Sequence, residues 1–148
     1  MAATAPKNCV YGAPPQDLAV TPAGAVQVSP LVPGAAALED VAPGSLAGVT
    51  MAAPPGTIER RYTLALALRA LQPGAPITVL APKDKGGSRL RKELEAFGCA
   101  VDEVGRRHQR ICHARRPEPL LEVDAALAAG APRLAENLVR RLRRRRGG

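Results

Sequence analysis

The clearest pattern of apolar and polar positions lies in the middle of the chain. Ile58, Tyr62, Ala65 and Leu66 fall on one helical face, with Leu68 and Leu71 beside it. This spacing predicts a helix that Thr57 caps and that runs to about Gln72, where Pro73 and Gly74 stop it. Pro76 to Ala81 is a short apolar run suited to an inner strand, and Pro82 to Gly87 is a polar turn. A second helix starts at Ser88, with Leu90, Leu94 and Phe97 at i, i+4 and i+7. Arg89 with Glu93, and Arg91 with Glu95, are spaced to pair along its wet face, each pair adding only ~0.3–0.5 kcal/mol. Gly98 is placed as a left-handed stop. Two short strands follow, Cys99 to Val104 and about His108 to Ala114, with Gly105 and Arg106 as the turn between them. Leu120 to Ala129 has the pattern of one more helix.

The flanking regions carry weaker signals. Residues 1–24 read as loose, because Pro6, Pro14, Pro15 and Pro22 interrupt any regular period. Gly24 to Ser29 is a short strand candidate, Ala35 to Asp40 a short helix candidate, and Gly48 to Ala52 a buried strand ended by Pro54, Pro55 and Gly56. Leu138 to Arg146 is periodic enough for a helix but too charged to bury much. Residues 48–116 therefore alternate strand, helix, strand, helix, strand, strand. That order predicts an α/β sheet layered with helices and an antiparallel edge pair. The expected organisation is a loose segment 1–24, an α/β domain 25–116, and a linker, helix and Arg-rich tail over 117–148.

Composition modifies this picture in two ways. Aromatics make up 2% of the 148 residues and tryptophan is absent, so Leu, Val, Ile and many Ala must fill the core. Each Ala contributes little burial energy. The net charge of +8 points to a polyanionic partner, but it is unevenly spread. Residues 1–56 carry Lys7 against Asp17, Glu39 and Asp40, whereas residues 57–148 carry twenty Lys and Arg against ten acids. Six of those twenty are the tail arginines 140, 141 and 143–146.

Cys9, Cys99 and Cys112 form an odd set, and no basic stretch followed by a long apolar one opens the chain. Reduced thiols in a cytoplasmic protein are expected. No run of about 18 apolar residues is present, so no membrane span is expected.

Candidate chemistry is mostly negative. No G-x-G-x-x-G loop follows a first strand, and no Walker loop occurs. No nucleophile stands with a base, so no catalytic residue is assigned. His108, Cys112 and His113, with Cys99, match no common zinc spacing, and on a strand Cys112 and His113 point to opposite faces. No metal site is assigned. The segment Ala81 to Lys92 is the strongest positive feature. Gly86 and Gly87 stand at a helix start among Lys83, Lys85, Arg89 and Lys92. It reads either as a phosphate seat or as a solvated strand-to-helix turn. Arg106, Arg107, Arg110, Arg115 and Arg116 likewise either track a backbone or protect a sheet edge. Without interleaved aromatics, base stacking has little support.

Taken together, Ser29 to Gly34, Ala53 to Arg61, Ala81 to Leu90, Gly98–Cys99 and Arg110 to Cys112 resemble the amino-terminal domain of bacterial small-subunit (16S) ribosomal RNA guanine-N2 methyltransferases. The resemblance covers roughly residues 10–120, and Ala81 to Leu90 is its most specific part. It implies a partial, degenerate Rossmann-like methyltransferase half with a mostly parallel sheet. In that family the amino half assists folding and RNA recognition, and the carboxyl half binds S-adenosylmethionine and methylates a guanine. Ala53-Pro54-Pro55-Gly56 falls where the active half carries an Asn-Pro-Pro-Phe-type loop, but without the Asn carboxamide or the aromatic platform. The family chain would continue into the cofactor domain after about residue 135. Here an arginine run and Gly147–Gly148 follow instead. A truncated gene, a shifted reading frame and a stand-alone product are all consistent with that.

The expected role is that of a non-catalytic half that binds no cofactor by itself. Its partners would be ribosomal RNA or the small subunit, and the missing methyltransferase domain. Lys83, Lys85, Arg89, Lys92 and Arg110 are the expected RNA contacts. Two alternatives are an S-adenosylmethionine-dependent methyltransferase completed by the missing half, and a small basic RNA-binding module that works through its tail.

Overall fold

The computed structural model describes residues 7–28 and 36–131. The tail candidate at 138–146, and Ser29 to Gly34, lie outside the described residues. Six strands form one sheet: β1 (Lys7–Tyr11), β2 (Val26–Gln27), β3 (Leu46–Ala52), β4 (Pro76–Pro82), β5 (Asp102–Arg106) and β6 (Gln109–Arg115). Their spatial order is β2-β1-β3-β4-β6-β5. The first four pair in parallel, and β6 runs antiparallel to both β4 and β5. The helices are α1 (Thr57–Ala70) and α2 (Ser88–Ala96), with a 3-10 turn at Leu38–Asp40. Residues 123–131 are also helical.

Lys7–Tyr11, expected to be loose, is an inner strand between β2 and β3. The prolines around it bound the strand rather than prevent it, because Cys9 gains a buried place against α1 and β3. The helix expected over 35–40 is only the single turn Leu38–Asp40 among its described residues.

Side chains alternate across the sheet. Cys9, Val49, Met51, Ile77, Val79, Cys112 and Ala114 join the apolar residues of α1 and α2 in one core. Leu80 and Ile111 point the other way, towards Ala19 and Leu18.

The phase of α1 differs from the expected one. Its fully buried line is Arg60, Leu64, Ala67, Leu68 and Leu71, whereas Ile58 and Tyr62 are half-buried. Every residue from Thr63 to Leu68 is buried. Such a helix is enclosed on several sides, so apolar periodicity no longer marks one face. Gly130 lies so close to Tyr62 that an added Cβ would sit 2.4 Å from the Tyr62 Cβ, so the 123–131 helix covers that flank. Gly56, not Thr57, is the N-cap of α1, and no side chain caps it.

The phase of α2 follows the sequence. Leu90, Leu94 and Phe97 are buried. Gly98 has φ +100, the Cys99 N–H donates to the Leu94 carbonyl at 3.1 Å, and the Gly98 N–H donates to that of Glu95 at 2.9 Å. These bonds form a Schellman stop. Arg91 and Glu95 pair at 3.8 Å on the exposed face. Glu93 does not pair with Arg89, because Arg60 of α1 takes it.

Candidate functional site

In open α/β sheets, ligands bind outside the carboxyl ends of the parallel strands, at the point where strand order reverses. Here that point lies between β1 and β3. The same edge gathers Gly12 after β1, Ala53–Gly56 after β3 and Lys83–Gly87 after β4. The antiparallel β6 starts at this edge too, with Gln109 opposite Pro82.

The crevice between β1 and β3 is narrow. Gly12 has φ +71, and a Cβ there would lie 3.2 Å from the Ala52 Cβ and 3.3 Å from its carbonyl oxygen. Gln27 ends β2, where a doubly wound dinucleotide site carries an acid for the ribose. Its amide Nε2 donates to the Gly12 carbonyl at 2.8 Å. Pro14 is buried just beyond. Burial raises the Tyr11 phenol, and the nearby Glu59 and Glu39 add to that while the Thr63 hydroxyl opposes it.

The loop after β3 is held from below. Arg60 is 0% exposed. Its Nη1 donates to the Pro55 carbonyl at 2.8 Å, and Nε and Nη2 donate to the Glu93 carboxylate at 2.5 and 3.1 Å. This guanidinium also explains Gly86, because a Cβ at that residue would lie 2.3 Å from Arg60 Nη1. Gly87 is as tightly packed: its Cβ would lie 2.6 Å from the Ala81 carbonyl oxygen and 2.7 Å from that of Pro82. Both glycines therefore have packing roles. Lys83 and Lys85, in the turn they shape, are exposed, as are Arg89 and Lys92 on the first turns of α2.

The sheet brings one distant cation to this turn. Arg110 lies opposite Ala81 on β4, and the Lys83 N–H donates to the His108 carbonyl at 2.8 Å. Lys83 and hairpin residues 105–110 line a common depression. Lys85, Arg89 and Lys92 do not line it. The hairpin turn is Arg107–His108, with φ +48 and +64, rather than Gly105–Arg106. Two left-handed residues match a type I′ turn, which usually carries Asn-Gly; its absence hid this turn in the sequence.

The five arginines grouped by sequence separate into two sets. Arg106, Arg107 and Arg110 stand at the carboxyl edge. Arg115 and Arg116 lie at the opposite end of β6, where Arg116 Nη1 donates to the carbonyls of Arg69 and Leu71 at the end of α1. Cations are favourable there because the last helical carbonyls lack partners. Arg115 Nη1 donates to the Gly74 carbonyl at 3.1 Å.

The three cysteines are buried and unpaired. Burial pushes the Cys112 thiol up to about 12, with Glu103 adding to the shift, and the Cys99 thiol to about 11. His113, on the opposite face of β6 from Cys112, lies 3.2 Å from the Thr78 hydroxyl.

A comparison with protein-family models finds no match, and one with curated proteins finds none. Among solved structures, the chain is similar to a T. Thermophilus 16S rRNA N2 G1207 methyltransferase (RsmC), in complex with AdoMet and guanosine. Identity is 20%, the TM-score is 0.57, and the match covers 79% of this chain and 37% of that one. The chain has the Rossmann-like methyltransferase fold. It spans little more than a third of that enzyme's length. Two weaker likenesses are to the antibiotic-resistance methyltransferase Kmr and to a variant 16S rRNA (adenine(1408)-N(1))-methyltransferase from Catenulisporales acidiphilia with cosubstrate SAM. For Kmr, identity is 13% and the TM-score 0.39, over 55% of this chain and 58% of that one. For the other, identity is 20% and the TM-score 0.38, over 55% of each chain. Among the described residues, no helix is long and apolar enough to cross a membrane.

Proposed function

We propose that this chain is the auxiliary, non-catalytic half of a 16S rRNA guanine-N2 methyltransferase, and that it acts in the cytoplasm. It presents cations to ribosomal RNA or the small subunit and braces a separate S-adenosylmethionine-binding domain. The observation that carries this reading is the division of the carboxyl edge. Its crevice is taken up by Gly12 against Ala52 and by the Gln27 amide, whereas Lys83 and Arg110 stand together a few strands away. A methionine carboxylate has no glycine loop to receive it, and a ribose has no acid. The residues present do not fit S-adenosylmethionine, and no methyl-transfer step is assigned to them. The likeness to the RsmC fold supports the choice of superfamily.

Lys83, Lys85, Arg89, Lys92 and Arg110 are the proposed RNA contacts. They project from a turn and strand whose backbone is held by Gly86, Gly87 and the β4–β6 ladder. A fixed set of cations can favour one phosphate geometry, unlike an arginine tail.

Two titrations test the proposal. Calorimetry with S-adenosylmethionine should give nothing tighter than about millimolar, roughly −4 kcal/mol. A micromolar site overturns the non-catalytic reading. Binding to small-subunit RNA should exceed binding to random RNA of equal length. Changing Lys83, Lys85 and Arg89 to Ala should remove that preference while circular dichroism stays unchanged. If the wild-type chain shows no preference, the tail explains the binding and the structured contacts fail.

A further inference from the structure

We infer that the depression at the tip of the β5–β6 hairpin seats one phosphate of the RNA backbone, held by Lys83, Arg106 and Arg110 around Gly105. This rests on the RNA-facing reading above and narrows it to a built site, adding Arg106 and Gly105 to the contacts.

Three observations carry the inference. First, the corner is tied together. Pro82 pairs with Gln109, and the Lys83 N–H donates to the His108 carbonyl, so the turn after β4 and the hairpin tip belong to one hydrogen-bonded unit. Second, charge in the depression is of one sign. No carboxylate lines it. Among the described residues, none pairs with Lys83, Arg106 or Arg110. Arg107 differs, because Asp17 in the segment after β1 takes its guanidinium. That pair also ties the hairpin tip to the rest of the sheet edge.

Third, Gly105 creates the position of Arg110. The two are register partners across the hairpin, and a Cβ on Gly105 would lie 2.9 Å from Arg110 Nη1. The guanidinium lies over the bare glycine. A planar fork held in this way presents its N–H groups to phosphate oxygens with little further ordering. A phosphodiester is the fitting ligand, because it offers two charged oxygens within reach of several cations and needs no aromatic platform.

The decisive variant is Gly105→Ala. It keeps every charge, and the atom it meets is the free end of a flexible side chain, so the chain folds while Arg110 is displaced. Two probes are used on the full chain: tripolyphosphate, followed by the amide NMR shifts of Gly105 (or the residue replacing it) and Arg110, and small-subunit RNA at several salt concentrations. Tripolyphosphate should shift these amides in the wild type, bind about tenfold more weakly in Gly105→Ala, and leave the Arg110 region unshifted in Arg106→Ala/Arg110→Gln. The slope of log affinity against log salt should fall by about two in the double variant, one for each lost phosphate contact. If both variants behave as wild type with both probes, the phosphate seat is overturned, while RNA binding by the wild type keeps the wider reading intact. Tripolyphosphate binding at Gly105 with no RNA binding overturns the RNA reading and with it the assignment of this phosphate to RNA.

Discussion

Arg60 and Glu93, 33 positions apart, meet through two hydrogen bonds, with the arginine fully buried and the carboxylate 11% exposed. The pair joins the first turn of α1 to α2, and its remaining N–H group holds the Pro55 carbonyl. Three connections at the carboxyl edge therefore depend on one guanidinium: the loop after β3, the turn before α2, and α2 itself. Removing one partner of a buried pair leaves the other charge unmatched, at a cost of about 3–5 kcal/mol. Arg60→Ala should lower stability by that amount in urea unfolding. Arg60→Met with Glu93→Leu should recover much of the loss.

Gly86 and Gly87 face different obstacles, and their Ala variants separate them. Gly74 has φ +80 with nothing within 4 Å of an added Cβ, so Gly74→Ala meets only the left-handed backbone penalty, about 1–2 kcal/mol. Gly86→Ala meets that penalty and the Arg60 guanidinium as well, so it should cost more. Gly87 has the ordinary helical φ of −58, yet its Cβ would meet two backbone carbonyl oxygens that cannot swing aside. Gly87→Ala should destabilise although Ala is the better helix former. Thermal melts of the three variants check the order.

Leu94 is fully buried in α2, whereas Arg91 is exposed on the other side of the helix. Leu94→Ala should cost about 2–5 kcal/mol. Arg91→Ala removes one exposed pair with Glu95 and should cost well under 1 kcal/mol. Denaturant melts in the reverse order would show that α2 is rotated.

The buried thiols make stability fall in alkali. An unfolded cysteine ionises near 9, while Cys99 and Cys112 in the fold hold their protons to about 11 and about 12. Above pH 9 the unfolded chain therefore binds fewer protons than the folded one, and unfolding free energy drops as pH rises. The thiol contribution is fully present below pH 9 and is lost progressively towards pH 11–12. Urea midpoints between pH 8 and 10.5 should fall, and Cys112→Ala should flatten the fall. In native protein at pH 8, the same thiols should resist alkylation until denaturant is added.

Much of the α/β alternation was legible in the sequence because its signals are local. Leu90, Leu94, Phe97 and Gly98 set the phase and the end of α2 within nine residues. The apolar run in Pro76–Ala81 marks an inner strand, and the missing glycine loop after β1 is a fact of composition. Other features depended on partners far along the chain. Lys7–Tyr11 becomes an inner strand only because β2 and β3 supply its hydrogen bonds. Arg60 looks like a wet position on α1 until Glu93 arrives from α2 to neutralise it, and Gly86 looks like a phosphate loop until that guanidinium fills the space beside it. The arginines near β6 are alike in sequence. Strand pairing then sends Arg115 and Arg116 to the last carbonyls of α1 and its neighbouring turn, and leaves Arg106 and Arg110 beside Lys83. Local propensity and periodicity can specify an element, but a buried charge or a shared edge exists only when separate elements meet, and that was decided by the tertiary structure.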